Sequence, residues 1–134
     1  MLTKEESNLV HDEEHWTRLM ESRELNQDER DALAETMNSI FMNQHSVDCG
    51  LLSAGGVLSC VDSVMSASSR SALAVVRPPG HHAEPDTPHG FCLFNNVAIG
   101  ARFVTHKNDN EAHDILFSTV SILSVGVDNL DFTF

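Results

Sequence analysis

The stretch "ALAVVRPPGHHAEPDTPHGFCLFNN" runs from Ala72 to Asn96. Its first five residues form an unbroken apolar run that stops at Arg77 and two prolines. A run so short, ending in Val75 and Val76, reads as a strand buried on both faces, the kind found inside a parallel sheet. Its carboxyl end opens into the loop that follows. In open α/β sheets sites form just beyond the carboxyl ends of strands, so this loop stands where chemistry is expected.

The loop is built for a site. His81 and His82 are adjacent, and successive residues on an extended turn point in different directions. One imidazole can therefore face a reacting atom while the other stands beside it. Histidine is the natural residue for proton transfer near neutral pH. Pro78 and Pro79 fix φ and remove two amide donors, which stiffens the turn. Gly80 lets the backbone approach a ligand or take positive φ. Gly90 followed by Phe91 sets a bare backbone group beside an aromatic wall, suited to a narrow pocket. A bare histidine pair elsewhere would be read as satisfying local hydrogen bonds. Here the buried run before it and the glycines around it give the functional reading equal weight.

The flanks of this stretch read as helices. Thr3 and Glu6 stand at capping-box spacing, and so do Asn26 and Glu29. After the second pair, Leu33, Met37, Ile40 and Phe41 fall at i, i+4, i+7 and i+8, which predicts one apolar helical face. Trp16, Leu19 and Met20 suggest a shorter helix between the boxes. "HSVDCG" reads as a loop. From Leu51 the pattern is helical again, through Ala54, Leu58, Val61 and Met65. Gly55 and Gly56 inside it cost roughly 1 kcal/mol each, which implies a neighbour packed close to the backbone. "SSRS" ends that helix. Asn95 or Asn96 caps a last helix through Val97, Ala98, Ala101 and Val104. The order is helix, helix, helix, strand, loop, helix: the opening of an α/β domain.

Composition narrows the function. The 134 residues suffice for one modest domain, and the formal net charge is -12. Nucleic-acid surfaces need clustered Lys and Arg, so such a partner is not expected. An acidic surface of this kind ordinarily serves solubility. Residues 1–36 carry eleven acids against four bases, a solvated flank, whereas Leu51–Ala74 carries only Asp62 and Arg70. Cys49, Cys60 and Cys92 form no CxxC pair, so neither a disulfide framework nor a structural zinc site is indicated. The N-terminus lacks a signal-peptide pattern. Ile115–Val127 is apolar but short of the roughly 20 residues a span needs, and no membrane partner is expected. "HDEEH", His11–His15, has the H-x-x-E-H spacing of inverted zinc peptidases. It lacks an identifiable third ligand, and an acidic solvated helix is the default reading.

"RPPGHHAEPDTPHGFCLFNNVAIGAR" resembles the class II branch of the histone deacetylases. In that family R-P-P-G-H-H is followed by G-F-C-x-F-N and a helix beginning V-A. "LVHDEEHW" and "NSIFMNQHSVDCGLLSAGGVLSCVDSVMS" resemble further family segments, so the likeness covers roughly Leu9 to Phe103. It displaces the peptidase reading of His11 and His15. The fold it implies is the N-terminal portion of an arginase/deacetylase-type parallel-sheet domain, incomplete here. The activity it implies is zinc-dependent hydrolysis of acetyl-lysine on a protein substrate, in nucleus or cytoplasm. A metal-bound water attacks the acetyl carbonyl in such enzymes. The resemblance assigns general base and acid or electrostatic roles to His81 and His82. It assigns substrate contact to Gly90 and the acyl-lysine tunnel wall to Phe91.

Beyond Phe103 the sequence departs from the family. Residues 1–103 are expected to be a partial catalytic domain and 104–134 a divergent tail. The family's D-x-D-x-H-H-G strand, which brings zinc ligands, has no counterpart. "ILSVGVDNLD" looks like a buried strand, but no histidine follows Asp128 or Asp131. His106 and His113 lie in a polar stretch with no ligand spacing. The family's late catalytic tyrosine has no match, since the chain contains no Tyr. A catalytic zinc site needs about three protein ligands and an open position. No metal ligand is therefore assigned, and no bound zinc is expected. Two readings follow. One is a truncated class II deacetylase fragment, inactive alone. The other is a pseudo-deacetylase fragment that binds a partner, such as a full-length deacetylase, through its exposed sheet edge and apolar helix faces.

Overall fold

The computed structural model describes residues 1–107. The expectations that concern Ile115–Val127, His113, Asp128 and Asp131 lie outside the described residues.

Both capping boxes form. Thr3 opens α1 (Lys4–Ser7) and Asn26 opens α3 (Gln27–Glu35), each side chain accepting from the amide three residues on while Glu6 or Glu29 reaches back. Between them lies α2 (Glu13–Glu21), which buries His15 and Leu19. Then come α4 (Ser46–Met65) and α5 (Asn96–Lys107), which pack against each other. The core gathers Leu2, Leu19, Ala34, Met42, Val47, Leu51, Ala54, Leu58, Leu93, Phe94 and Ile99. By length and composition α4 could cross a membrane. Its packing is that of a core helix: Val47, Leu51, Ala54 and Leu58 all lie in the cluster.

Gly55 shows why a helix accepts its propensity cost. A Cβ there would sit 2.8 Å from the Met1 backbone and 2.9 Å from the Leu2 amide nitrogen. That amide donates to the Leu51 carbonyl at 2.9 Å. The N-terminus therefore lies directly on α4, as the paired glycines imply.

Three expectations need correction. The apolar face through Met37, Ile40 and Phe41 is not helical, because α3 ends at Glu35 with Thr36 as its cap. The chain leaves the helix with Ser39 at φ +55°. That departure aims the Asn38 and Ser39 carbonyls at the Gly90 and Phe91 amides, 3.1 and 2.9 Å away. Met42 is then delivered to the core. Tertiary bonds outweigh helical periodicity here. The "HSVDCG" loop is instead the start of α4, from Ser46. Gly50 is not a turn glycine: a Cβ there would meet the Phe94 ring at 3.1 Å. It is small because an aromatic packs onto the helix.

The third correction concerns Ala72–Val76. Among the described residues there is no strand, only isolated bridges between Asn38 and His89 and between His89 and Cys92. The run is one-sided. Leu73 and Val75 are 84% and 89% exposed, while Ala74 and Val76 are half-buried. Val76 lies beside Gly56 of α4, its Cγ1 at 3.6 Å from where a Cβ would stand. A strand is buried on both faces only when neighbouring strands and a second layer cover it. Among the described residues α4 covers one face and no ladder forms.

Candidate functional site

The histidine loop hangs from a buried polar anchor. Asn96, first residue of α5, donates from Nδ2 to Ser53 Oγ at 2.7 Å and lies 3.2 and 3.1 Å from the Pro78 and Pro79 carbonyls. Ser53 Oγ donates to the Pro78 carbonyl at 2.7 Å. Both side chains are buried. Prolines bring no amide hydrogen, so their carbonyls are what the loop offers, and α4 and α5 each supply a donor. The Arg77–Pro78 peptide is cis.

Gly80 follows at φ +95°, where a Cβ would fall 2.6 Å from the Phe94 carbonyl and 2.7 Å from the Asn96 nitrogen. No side chain fits. Its amide donates to Cys92 Sγ at 3.1 Å, and that thiol donates to the Gly90 carbonyl at 3.3 Å. Cys92 thus ties the start of the loop to its far limb.

His81 and His82 sit on the turn so formed, with ring centroids 4.1 Å apart and planes 52° apart. His82 is exposed and His81 half-buried. His89 brings a third imidazole 5.8 Å from His82, with Nδ1 4.0 Å from the Glu84 carboxylate. Gly90, at φ +53°, lies against His82: a Cβ would come within 2.8 Å of the ring. Phe91 also takes positive φ, 62°, and is 60% exposed. The four residues singled out from sequence therefore share one loop. Gly90 lies against His82, and Phe91 follows it, exposed, with its amide held by the Ser39 carbonyl.

Sequence reasoning missed the supports. His11 and His15 are buried, with rings stacked at 4.3 Å and 10°. His11 donates from Nδ1 to the Pro85 carbonyl at 3.2 Å and accepts the Asn95 amide at Nε2 at 2.9 Å. His15 donates from Nε2 to the Leu93 carbonyl at 2.8 Å. Burial holds the His11 pKa below its ordinary 6.5, although the Pro85 and Glu84 carbonyls and Asp12 oppose it. Burial, and next the neighbouring His11, lower that of His15 to about 4. Both are neutral at pH 7. Asn95 Nδ2 donates to the Ala83 carbonyl at 2.9 Å, and its Oδ1 caps α5 by accepting from Ala98 at 3.0 Å. These partners stand up to 84 positions apart in sequence. The H-x-x-E-H spacing suggested a metal rather than a support, and the family likeness of "LVHDEEHW" marked the segment without giving the pair a role.

No group of three or more His, Cys, Asp or Glu among the described residues is arranged to hold a metal ion. The histidines of the loop lean on one another and on Gly90 instead of converging on one point.

The described fold superimposes on the crystal structure of the HDA15 HD domain with a TM-score of 0.68 and 28% identity, covering 79% of this chain and 28% of that one. That likeness defines a protein of the arginase/deacetylase fold class. The histone deacetylase domain profile matches residues 1–116, and the chain belongs to that family. Histone deacetylase HDA1 of Candida albicans is 42% identical over 100 residues, 75% of this chain and 12% of that protein. Polyamine deacetylase HDAC10 of Danio rerio is 40% identical over 108 residues, 81% of this chain and 16% of that protein. Histone deacetylase clr3 of Schizosaccharomyces pombe is 35% identical over 114 residues, 85% of this chain and 17% of that protein. Such relatives mark the class II branch. The chain spans 12% to 17% of their lengths. The family is zinc-dependent, and the described residues do not by themselves make a zinc shell.

Proposed function

We propose that this chain carries the proton-transfer loop of a class II protein-lysine deacetylase. His81 and His82 are its general base and the acid or electrostatic partner. Gly90 lies by the substrate stem, and Phe91 walls the entrance for the acyl-lysine. The observation that carries this reading is the loop geometry: two imidazoles 4.1 Å apart, one braced by Gly90, on a turn anchored to two helices. Two rings so placed hold and return a proton without a large movement. The acetylated partner is a protein, met in nucleus or cytoplasm, and neither nucleic acid nor membrane takes part. On this reading residues 1–103 are the deacetylase part and 104–134 a divergent tail, although the family profile runs on to residue 116.

Zinc supplies the Lewis acid in this family. No ligand set for it assembles among the described residues; on this reading the 134-residue chain by itself is inactive. Incubated with zinc and an acetyl-lysine peptide, it releases no acetate. Turnover that His81→Ala or His82→Ala abolishes would overturn the inactivity. The loop itself is tested by grafting residues 77–96 into full-length Candida albicans HDA1 in place of the equivalent segment. The chimera is expected to remain active and to lose at least a hundredfold in kcat on His82→Ala, the size typical of acid–base groups. An active chimera indifferent to both histidines would sink the assignment.

One observation favours a second reading. Leu73 and Val75 stand exposed on a run with no ladder among the described residues. Such an edge recruits strands. On this reading the chain is a pseudo-deacetylase fragment that binds a full-length deacetylase through Ala72–Val76. Co-purification that Val75→Lys does not weaken would exclude it.

A further inference from the structure

We infer that His11 is a positioning residue for the histidine loop: its neutral imidazole ties the inbound limb at Pro85 to the outbound limb at Asn95, and Asn95 holds Ala83, the neighbour of His82. The inference rests on the reading of His81 and His82 as the proton-transfer pair.

The two hydrogen bonds of His11 fix its tautomer. Nε2 accepts the Asn95 amide at 2.9 Å, so it carries no hydrogen. Nδ1 faces the Pro85 carbonyl at 3.2 Å, so it carries one. Neither bond survives interchange of the two nitrogens, and a second proton removes the acceptor that Asn95 needs. The Asp12 amide donates to the same Pro85 carbonyl at 2.9 Å, so the start of α2 and the inbound limb are joined twice. Asn95 then passes the constraint on, since its Nδ2 donates to the Ala83 carbonyl at 2.9 Å. The Ala83 amide donates to the Gly80 carbonyl at 3.2 Å, which closes the turn around His81 and His82.

His15 keeps the His11 ring in place. The rings stack face to face, and the Phe94 edge abuts both, at 6.0 and 5.8 Å. The charged and polar groups around the pair are Asp12 and Arg18 on α2 and the carbonyls of Glu84, Pro85, Asp86 and Leu93 on the loop. Burial keeps both rings neutral at pH 7, and at His15 the neighbouring His11 adds to it. Acidification should therefore open the bridge before it unfolds the helices.

The test is nuclear magnetic resonance of the isotopically labelled 134-residue chain. At pH 7 the ring nitrogens of His11 should report the Nδ1–H tautomer. As pH falls below 6.5, the Asn95 and Ala83 amides and the His82 ring should share one transition with His11. An Nε2–H tautomer at pH 7, or a His82 ring that moves with no inflection in common with Asn95, would refute the role. His11→Gln keeps an acceptor near Asn95 but takes no proton, so it should erase the shared transition at Asn95 and Ala83. His11→Leu should speed exchange of the Asn95 amide roughly tenfold, the effect of losing one buried hydrogen bond. Should either variant fail to fold, the wild-type titration decides by itself. A shared transition with an inactive graft overturns the deacetylase assignment only. An active graft with no shared transition overturns the role of His11 only.

Discussion

Gly90→Ala should damage the site by two separable routes. At φ +53° an alanine pays for the left-handed conformation, roughly 1–2 kcal/mol. About 0.4–1 kcal/mol returns because alanine restricts the unfolded chain. The new methyl would also stand 2.8 Å from His82 Cδ2 and 3.0 Å from Cγ. Contacts so short are not tolerated, and relief requires the imidazole to move. Overpacking of this kind costs about 1–3 kcal/mol, and the exposed ring can yield, so the lower end applies. The expected total is about 2 kcal/mol. A double-mutant cycle separates the parts. In a His82→Ala background only the conformational cost remains, about 1 kcal/mol. Urea unfolding followed by Trp16 fluorescence measures all four corners. An equal cost in both backgrounds would show that Gly90 does not brace His82, and so would a His82 ring resonance that Gly90→Ala leaves unmoved.

Three further outcomes are expected. The depressed His15 pKa makes stability fall as pH drops from 6.5 toward about 4; the unfolded chain binds the proton first in that window, so stability present above 6.5 is lost below it. A displacement of this size corresponds to about 3 kcal/mol. His15→Gln should flatten the pH dependence relative to wild type, and an unchanged slope would contradict the account. Gly55→Ala should destabilise by about 1–2 kcal/mol, the collision with the Met1 backbone exceeding the helical gain. Gly56→Ala should stabilise by up to about 1 kcal/mol, since only Val76 lies near, at 3.6 Å; thermal unfolding that reverses this order would refute the placement of the N-terminus. Asn96→Leu should cost about 2 kcal/mol by stranding the Pro79 carbonyl, since Ser53 still serves that of Pro78, and a loss below about 0.5 kcal/mol, the size of a surface change, would mean that the anchor is not needed.

Much of the helical frame was legible. Thr3 with Glu6 and Asn26 with Glu29 declared two helix starts, because a cap is satisfied within four residues. Gly55 announced a close neighbour through its propensity cost, and Met1 is that neighbour, whereas Gly56 meets only Val76 at an ordinary 3.6 Å. The motif through His81, His82, Gly90 and Phe91 marked a single loop, and these residues do lie together. Periodicity failed after Glu35, where the Asn38 and Ser39 carbonyls serve Gly90 and Phe91, some fifty positions away. It failed again at Gly50, whose smallness answers to Phe94 and not to a turn.

Local chemistry in the chain was enough to determine where helices begin, which loop is stiff and which side chains on it can move a proton. Those properties depend on neighbours a few residues apart. The bracing of that loop by His11, Ser53, Cys92 and Asn96 was decided only when distant segments met, because each hydrogen bond there needs a partner that sequence spacing does not specify. The same holds for Ala72–Val76: its apolar character is intrinsic, but whether both its faces are covered depends on what packs against them.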